Sequence, residues 1–428
     1  MPHRILFLQG PPSPFWRDLS LALERHGHAV FKINVCLGDQ IYWRRRGAAN
    51  FRGRFANWRR YLERFLDAHR ITHILYYGDR LPYHVAAAEI AAGRGLVAVA
   101  IENGYLRPDW ITCERGGMSA FSHFPADPDR VRTIAAQVPE PSLQLDFPHT
   151  FRREISNEIV YHLSSYFYRL LFPFYRSDKY YDPMLDYLSG IPRMWRRRAN
   201  ERHAAGVVDD LIGHRKAFYL AILQLQGDYQ IRHNSPYEHL RSMVEEVTRS
   251  FARFASADSR LVFKLHPHDN GREAWPRVIA AAAERHGVAA RVDTIDGGSL
   301  ERLLAAARGM VTVNSTVGLY AIRARCPTKV LGVAVYDLPG LTHQGPLDAF
   351  WEAPQPVDAQ LAAAFIRALA GTIQVKGSFH NPAGRAAAIA EIVRRLEAGQ
   401  VNEPGAFVPH PPRLARAQAL GIAVARDG

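Results

Sequence analysis

Four loops in the second half of the chain carry the residue types that group transfer requires. Residues 224–228 end an apolar run with Gln226, Gly227 and Asp228, so a glycine turn delivers a carboxylate at a strand end. Such a carboxylate acts as nucleophile or base, and an Asx-turn residue is its structural alternative. Residues 264–271 place His266, Pro267, His268 and Asp269 ahead of an Asn-Gly turn. A histidine there can donate a hydrogen bond to a phosphate or protonate a leaving group. Two histidines at i and i+2 are poor metal-ligand spacing, so no metal is expected. Asn314, Ser315, Thr316 and Gly318 open a helical stretch. Free N–H groups at a helix start make a phosphate seat, and an ordinary N-cap looks the same. Residues 336–345 form a long polar loop.

The first half adds a fifth loop. Glu102, Asn103, Arg107 and Asp109 crowd just past an apolar run, where a plain turn would need only the Asn103-Gly104 pair. Gln9 begins a Gln-Gly-Pro-Pro loop after the first run, which is not the G-x-G-x-x-G fingerprint of dinucleotide binding. The P-loop pattern is also absent, against an NTPase. Phosphate seat, histidine and strand-end carboxylate together fit transfer of a group from an anionic nucleotide donor.

These loops need strands to present them. Short apolar runs predict strands at 4–8, 29–34, 74–77 and 96–101, with helices at 15–26 and 85–92. The rhythm returns with strands at 217–225, 261–265, 290–294, 310–313 and 328–331, and helices at 237–254, 274–286 and 300–307. Two Rossmann-like halves facing each other across a cleft are therefore expected, the α/β layout called GT-B. The first domain is placed at 1–205, on the acceptor and membrane side, and the second at 206–400, binding the donor. The basic run 193–203 reads as linker, and 401–428 as a tail of little core value.

Composition narrows the partners. With 428 residues and 47% hydrophobic content, the chain has material for two domains and is not disordered in bulk. The most apolar run, residues 83–101, carries Glu89 and Arg94 and does not read as a membrane span. The apolar start at 5–8 is too short for a signal segment. Three cysteines without metal spacing suit a reducing cytoplasm and no disulfides. A net charge of +13 points to nucleic acid, anionic lipid, or a phosphorylated or carboxylated substrate. Residues 42–64 interleave aromatics with arginines, as an anionic interface or a basic helix face over a core would. Residues 157–181 read as helical and aromatic, either packing between domains or dipping into headgroups.

Taken in order, these stretches resemble the capsule polysaccharide synthesis/export family of Gram-negative bacteria, whose members include β-Kdo glycosyltransferases. The likeness is strongest to transferases that start the lipid-linked Kdo anchor of group 2-type capsules. It is carried by Phe7 to Pro11, by Ile33, Asn34, Gly38 and Asp39, and by 102–112, 226–228, 264–271, 314–318 and 336–342, reaching Phe350 and Trp351. The resemblance implies a GT-B fold and CMP-Kdo as donor, with no cofactor and no catalytic metal. It further implies a phosphatidylglycerol-type lipid acceptor at the cytoplasmic face of the inner membrane, other capsule assembly proteins as partners, and no nucleic acid. By the same resemblance Asp228 is the nucleophile, His266 contacts the CMP phosphate and Pro267 shapes the cytidine pocket. Asn314, Ser315 and Thr316 complete the phosphate seat, with Gln226, Gly227 and Gly318 on the donor side, and Glu102 is the acid/base. Gln9, Asn103, Arg107 and Asp109 are expected at the acceptor or cleft. The arginine density at 44–64 has no match in the family. Two alternatives stay open: a non-catalytic protein coupling capsule synthesis to export, and a transferase using CMP-sialic acid or a UDP-sugar.

Overall fold

Runs rich in Val, Ile, Leu and aromatics, each closed by a glycine or polar turn, become the strands of two layered sheets. The computed structural model describes residues 2–148 and 151–423. The first sheet holds β1 (Arg4–Phe7), β2 (Ala29–Asn34), β3 (Ala49–Asn50), β4 (His73–Tyr77), β5 (Val97–Asn103) and β6 (Trp110–Arg115). The second holds β7 (Phe218–Ile222), β8 (Arg260–Lys264), β9 (Val292–Ile295), β10 (Gly309–Thr312) and β11 (Thr328–Val330). A last strand, β12 (Gln374–Lys376), returns to the first sheet and pairs antiparallel with β6.

Strand order identifies the architecture. The parallel part of the first sheet runs β3-β2-β1-β4-β5, and the second sheet runs β9-β8-β7-β10-β11. Renumbered within each half, both orders are 3-2-1-4-5, so the chain is two Rossmann-like units, as expected of a GT-B-like layout. In each unit the order reverses once, between β1 and β4 and between β7 and β10. Ligands bind outside the carboxyl ends of the strands at such reversals. β7 is buried at all five positions, as a central strand covered by helices on both faces must be.

Several segments differ from the sequence reading. Residues 193–203 belong to one helix, Ile191–Gly213, whose inner face packs Ala204, Val208 and Leu211 against the second sheet. The chain leaves the second unit well before residue 400: helices Ala359–Thr372 and Pro382–Glu397 pack on the first sheet around β12. The tail carries core weight, because Val401, Ala406, Ala417 and Ile422 are buried. In the basic stretch Trp43, Phe51 and Trp58 point into the core, leaving Arg52, Arg54, Arg59 and Arg60 outside. Leu319, Ile322, Tyr336 and Leu341 share one apolar cluster with Leu62, Ile90 and Phe365, so the two units are joined by a continuous core. Among the described residues no helix is long and apolar enough to cross a membrane.

Candidate functional site

The reversal in the second sheet sits between the loops after β7 and β10, which carry Asp228 and Asn314. Asp228 caps the short helix Tyr229–Asn234, its Oδ1 accepting from the Gln230 N–H at 2.8 Å. The Asx reading is thus correct for one oxygen of a carboxylate that also faces the cleft. Burial pushes its pKa up, opposed by the Gln230 N–H, the Arg107 charge, the Gln224 amide and Arg232. Asn314 is a brace. Its Nδ2 donates to the carbonyls of Gln230 (3.0 Å) and Asn234 (3.1 Å), and its Oδ1 accepts from Gln224 Nε2 at 2.9 Å. With every polar atom of its amide engaged, Asn314 fixes the Asp228 helix against β10 and leaves no side-chain donor for a ligand.

Other residues expected on the donor side also have partners within the fold. Gln226 bridges the carbonyl of Glu238 (3.0 Å) and the N–H of Leu240 (2.8 Å), capping the helix Leu240–Phe254. A Cβ on Gly318 would land in the Tyr336 ring, so that glycine is required for packing. Ser315 Oγ accepts from the Val317 N–H at 3.2 Å, and its carbonyl accepts from the Tyr336 hydroxyl. The helix Ser315 and Thr316 open, Val317–Arg323, has only seven residues, so its dipole is short. Gly227 stays at the mouth, beside Tyr180 and Tyr181.

The loop after β8 is held from outside by a residue the sequence reading put in the linker. Arg193 donates to the carbonyls of His266 (2.9 Å), Pro267 (3.1 Å) and Asp269, and pairs with Asp296. Burial pushes the Asp296 carboxyl up, and the Arg193 guanidinium more than reverses this. His266 is half-buried, and its Nδ1 accepts from the His268 N–H at 3.1 Å. The proton of the neutral ring therefore sits on Nε2. Burial, with His268, Arg107, Arg193 and Lys264 nearby, pushes its pKa down to about 3. At neutral pH His266 donates a hydrogen bond but is not a charged general acid. Arg107, Arg193 and Lys264 put positive charge near this neutral imidazole, with the Arg193 share offset by its pair with Asp296. Pro267 is exposed beside it.

The first sheet faces this loop through β5 and the turn that follows. Glu102 and Asn103 are the last residues of β5 rather than loop residues, paired with Thr112 and Ile111 of β6. Glu102 Oε2 is buried without a hydrogen-bond partner. Burial pushes its pKa up to about 8, with Arg107 opposing and Asp79 and Asp228 reinforcing. The Asp228 charge, from the second unit, thus adds to the rise at Glu102. Arg107, exposed on the hairpin turn, is the charge common to the shifts of Glu102, Asp228, His266 and His268. Its carbonyl accepts from the Tyr320 hydroxyl at 3.0 Å, tying the turn to the second unit. Asn103 Nδ2 donates to Tyr77 at 3.3 Å, and Gln9 Nε2 to Tyr161 (2.9 Å) and Tyr175 (3.1 Å). Asp109 accepts from the N–H of Asp146 (2.7 Å) and pairs with Lys376 (3.0 Å).

Sequence reasoning missed the contact that joins the two reversals. Asp79, just after β4, accepts from the Tyr229 hydroxyl, which in turn accepts from the N–H groups of Asp79 and Arg80 at 3.2 Å each. Tyr229, the residue after Asp228, thus ties the loop after β7 to the first unit. The Gly78-Asp79 pair after a strand is the same punctuation that drew attention to Gly227-Asp228. Glu154 and Glu158 of the helix Phe151–Phe167 also reach the cleft, acting on Tyr77 together with Glu102. Among the described residues no three His, Cys, Asp or Glu side chains are grouped to hold a metal ion.

Known proteins are similar to this chain in sequence. Residues 72–380, which include Glu102, Asp228, His266 and Asn314, match the family model described as capsule polysaccharide biosynthesis protein. The Escherichia coli capsule polysaccharide export protein KpsS is 34% identical over 381 residues, 88% of this chain and 97% of its own. Neisseria meningitidis serogroup A LipB, a capsule polysaccharide modification protein, is 30% identical over 390 residues, 89% of this chain and 92% of its own. Among solved structures, Thermosulfurimonas dismutans KpsC, a beta Kdo 2,7 transferase, matches at TM-score 0.44 and 12% identity over 92% of this chain and 98% of its own. On the extent of the family match and of the curated relatives, the chain belongs to the capsule polysaccharide biosynthesis family.

Proposed function

We propose that this protein is a retaining glycosyltransferase that moves Kdo from CMP-Kdo to a phosphatidylglycerol-type lipid acceptor in capsule biosynthesis. One feature carries the reading: Glu102 at the end of β5 and Asp228 after β7 both lie near the Arg107 charge, and the Asp228 charge helps to raise the Glu102 pKa. A double displacement uses such a pair. In the first step Asp228 attacks the anomeric carbon of Kdo, and the bond to the phosphate oxygen breaks with its electron pair leaving on CMP. The departing phosphate is received by the positive charge around His266, whose Nε2–H donates to it. In the second step the lipid hydroxyl attacks the same carbon and the ester to Asp228 breaks, restoring its carboxylate. The hydroxyl proton passes to Glu102, whose unpartnered Oε2 is the free acceptor in the cleft. No metal or cofactor has a role in this scheme.

Gln226 and Asn314 enter as positioning residues, since their amides are engaged in holding Asp228 and the neighbouring helices. Purified protein incubated with CMP-Kdo and a fluorescent phosphatidylglycerol-like lipid, read by mass spectrometry, tests the reading. Asp228→Ala is expected to abolish transfer while CMP affinity stays within about twofold, because the proposed nucleotide contacts lie on other loops. Unchanged turnover in that variant would remove the nucleophile. A second reading, a non-catalytic protein coupling synthesis to export, draws on the description of the Escherichia coli relative as an export protein. It predicts no CMP binding and no product from the unmodified protein in the same assay.

A further inference from the structure

Among the described residues fourteen large hydrophobic side chains are exposed, and eleven of them lie between residues 160 and 195. Leu170 is 88% exposed, Trp195 83% and Phe167 60%. Single exposed apolar residues are ordinary, whereas a concentration of them marks an interaction face. The face is built from the end of helix Phe151–Phe167, the 3-10 turn Arg169–Leu171, helix Pro183–Ser189 and the start of helix Ile191–Gly213.

Charge says what covers it. Between residues 160 and 198 there are three acids, and each has a partner. Asp178 pairs with Arg232, Asp182 caps the helix Pro183–Ser189, and Asp186 accepts from Asn270. Arg169, Arg176, Lys179, Arg196, Arg197 and Arg198 are exposed. Arg52 and Arg54 extend the rim, stacking over Phe172 at 5.7 Å and Phe174 at 5.5 Å. Leucine and aromatic tips inside a ring of cations complement an anionic bilayer, with Tyr and Trp suited to headgroup depth. The cleft opens beside this face: Tyr180 and Tyr181 border Gly227, and Asp186 holds Asn270 of the His266 loop.

We infer that this face seats the protein on an anionic lipid bilayer, its apolar tips entering the headgroup boundary and its arginines pairing with lipid phosphates. The inference names the surface that supplies the lipid acceptor and rests on the proposed transfer reading for that purpose alone. A headgroup beside the face then reaches Glu102 and Asp228 without its chains leaving the bilayer.

Co-sedimentation of the full chain with phosphatidylcholine vesicles, with and without phosphatidylglycerol, is the test. Binding is expected only with phosphatidylglycerol, weakening as salt is raised. The triple variant F167S/L170S/W195S is expected to lose about tenfold or more of that binding. Those side chains are exposed, so its thermal unfolding and CMP titration should match the unmodified protein. Equal binding to both vesicles, binding to neither, or unchanged binding by the variant overturns the inference. So does a dimer in solution that the variant abolishes, since a second copy would then be the occupant. Vesicle binding without CMP binding or product supports the surface and defeats the transfer reading. Loss of vesicle binding with transfer to a detergent-dispersed acceptor retained supports both.

Discussion

Glu102 has no hydrogen-bond partner for one carboxylate oxygen, and burial raises its pKa to about 8, as it does that of Glu114, which is bound to Ser122 away from the Asp228 loop. A base must be ionised to accept the acceptor proton, so the fraction of active enzyme climbs as pH rises through about 8. Transfer is therefore expected to increase about tenfold per pH unit below that value and to level above it. Glu102→Gln should remove the rising limb and lower the rate by roughly 10²- to 10⁴-fold. His266, held neutral down to about 3, contributes no limb near neutral pH. A pH–rate profile of the two proteins decides it: a limb that survives in Glu102→Gln assigns the base elsewhere.

At the scale of elements, the helix Ile191–Gly213 governs the His266 loop through Arg193. Its guanidinium holds the carbonyls of His266 and Pro267, and its side chain is 16% exposed. Arg193→Met leaves those carbonyls without their donor and the Asp296 carboxylate with Asn200 alone, a local cost of roughly 2–3 kcal/mol. Because the loop is proposed to hold the donor and not to react, donor KM should rise about tenfold while kcat moves little. Arg193→Lys keeps the charge but not the fork, and should recover part of the loss. Equal falls in kcat and kcat/KM would move Arg193 from positioning into the reaction. This element also marks where sequence reading stops. Parallel strands buried on both faces announce themselves as apolar runs, so β1, β2, β4, β5 and β7 to β11 were legible. β3, β6 and β12 were not: β3 has only two residues, β6 follows β5 across a short hairpin that reads as one polar loop, and β12 pairs with a strand about 260 residues away. Asp228 was legible as a carboxylate on a glycine turn. Arg193 sits in a basic run that composition alone makes a linker, and only Asp296 and the carbonyls around it give it a task. Whether Gln226 or Asn314 has a free amide is likewise a matter of three-dimensional partners, which residue type does not record.

For the whole molecule, the question is what keeps two carboxyls from different sheets in register. The shared apolar cluster is one answer, and the supposed tail is another. Arg413, only 3% exposed, donates to the carbonyls of Phe124 (2.6 Å) and Pro125 (3.3 Å) in the first unit and of Ala334 (3.2 Å) and Val335 in the second. Burial lowers its pKa to about 10, with Glu114 the largest opposing charge, so it remains cationic at neutral pH. One guanidinium thus bridges the units on the far side of the chain's end. Arg413→Met fills most of the volume but strands those carbonyls, at a cost on the order of 3–5 kcal/mol. In a chain this size, that should lower the unfolding midpoint by a few degrees. It should also loosen the register of Asp228 against Glu102, so that transfer falls in a variant whose altered residue touches no substrate. If the midpoint drops while the pH–rate profile and kcat stay as in the unmodified protein, the tail only stabilises the fold. A kcat that falls at temperatures well below the midpoint means that the bridge also sets the geometry of the cleft.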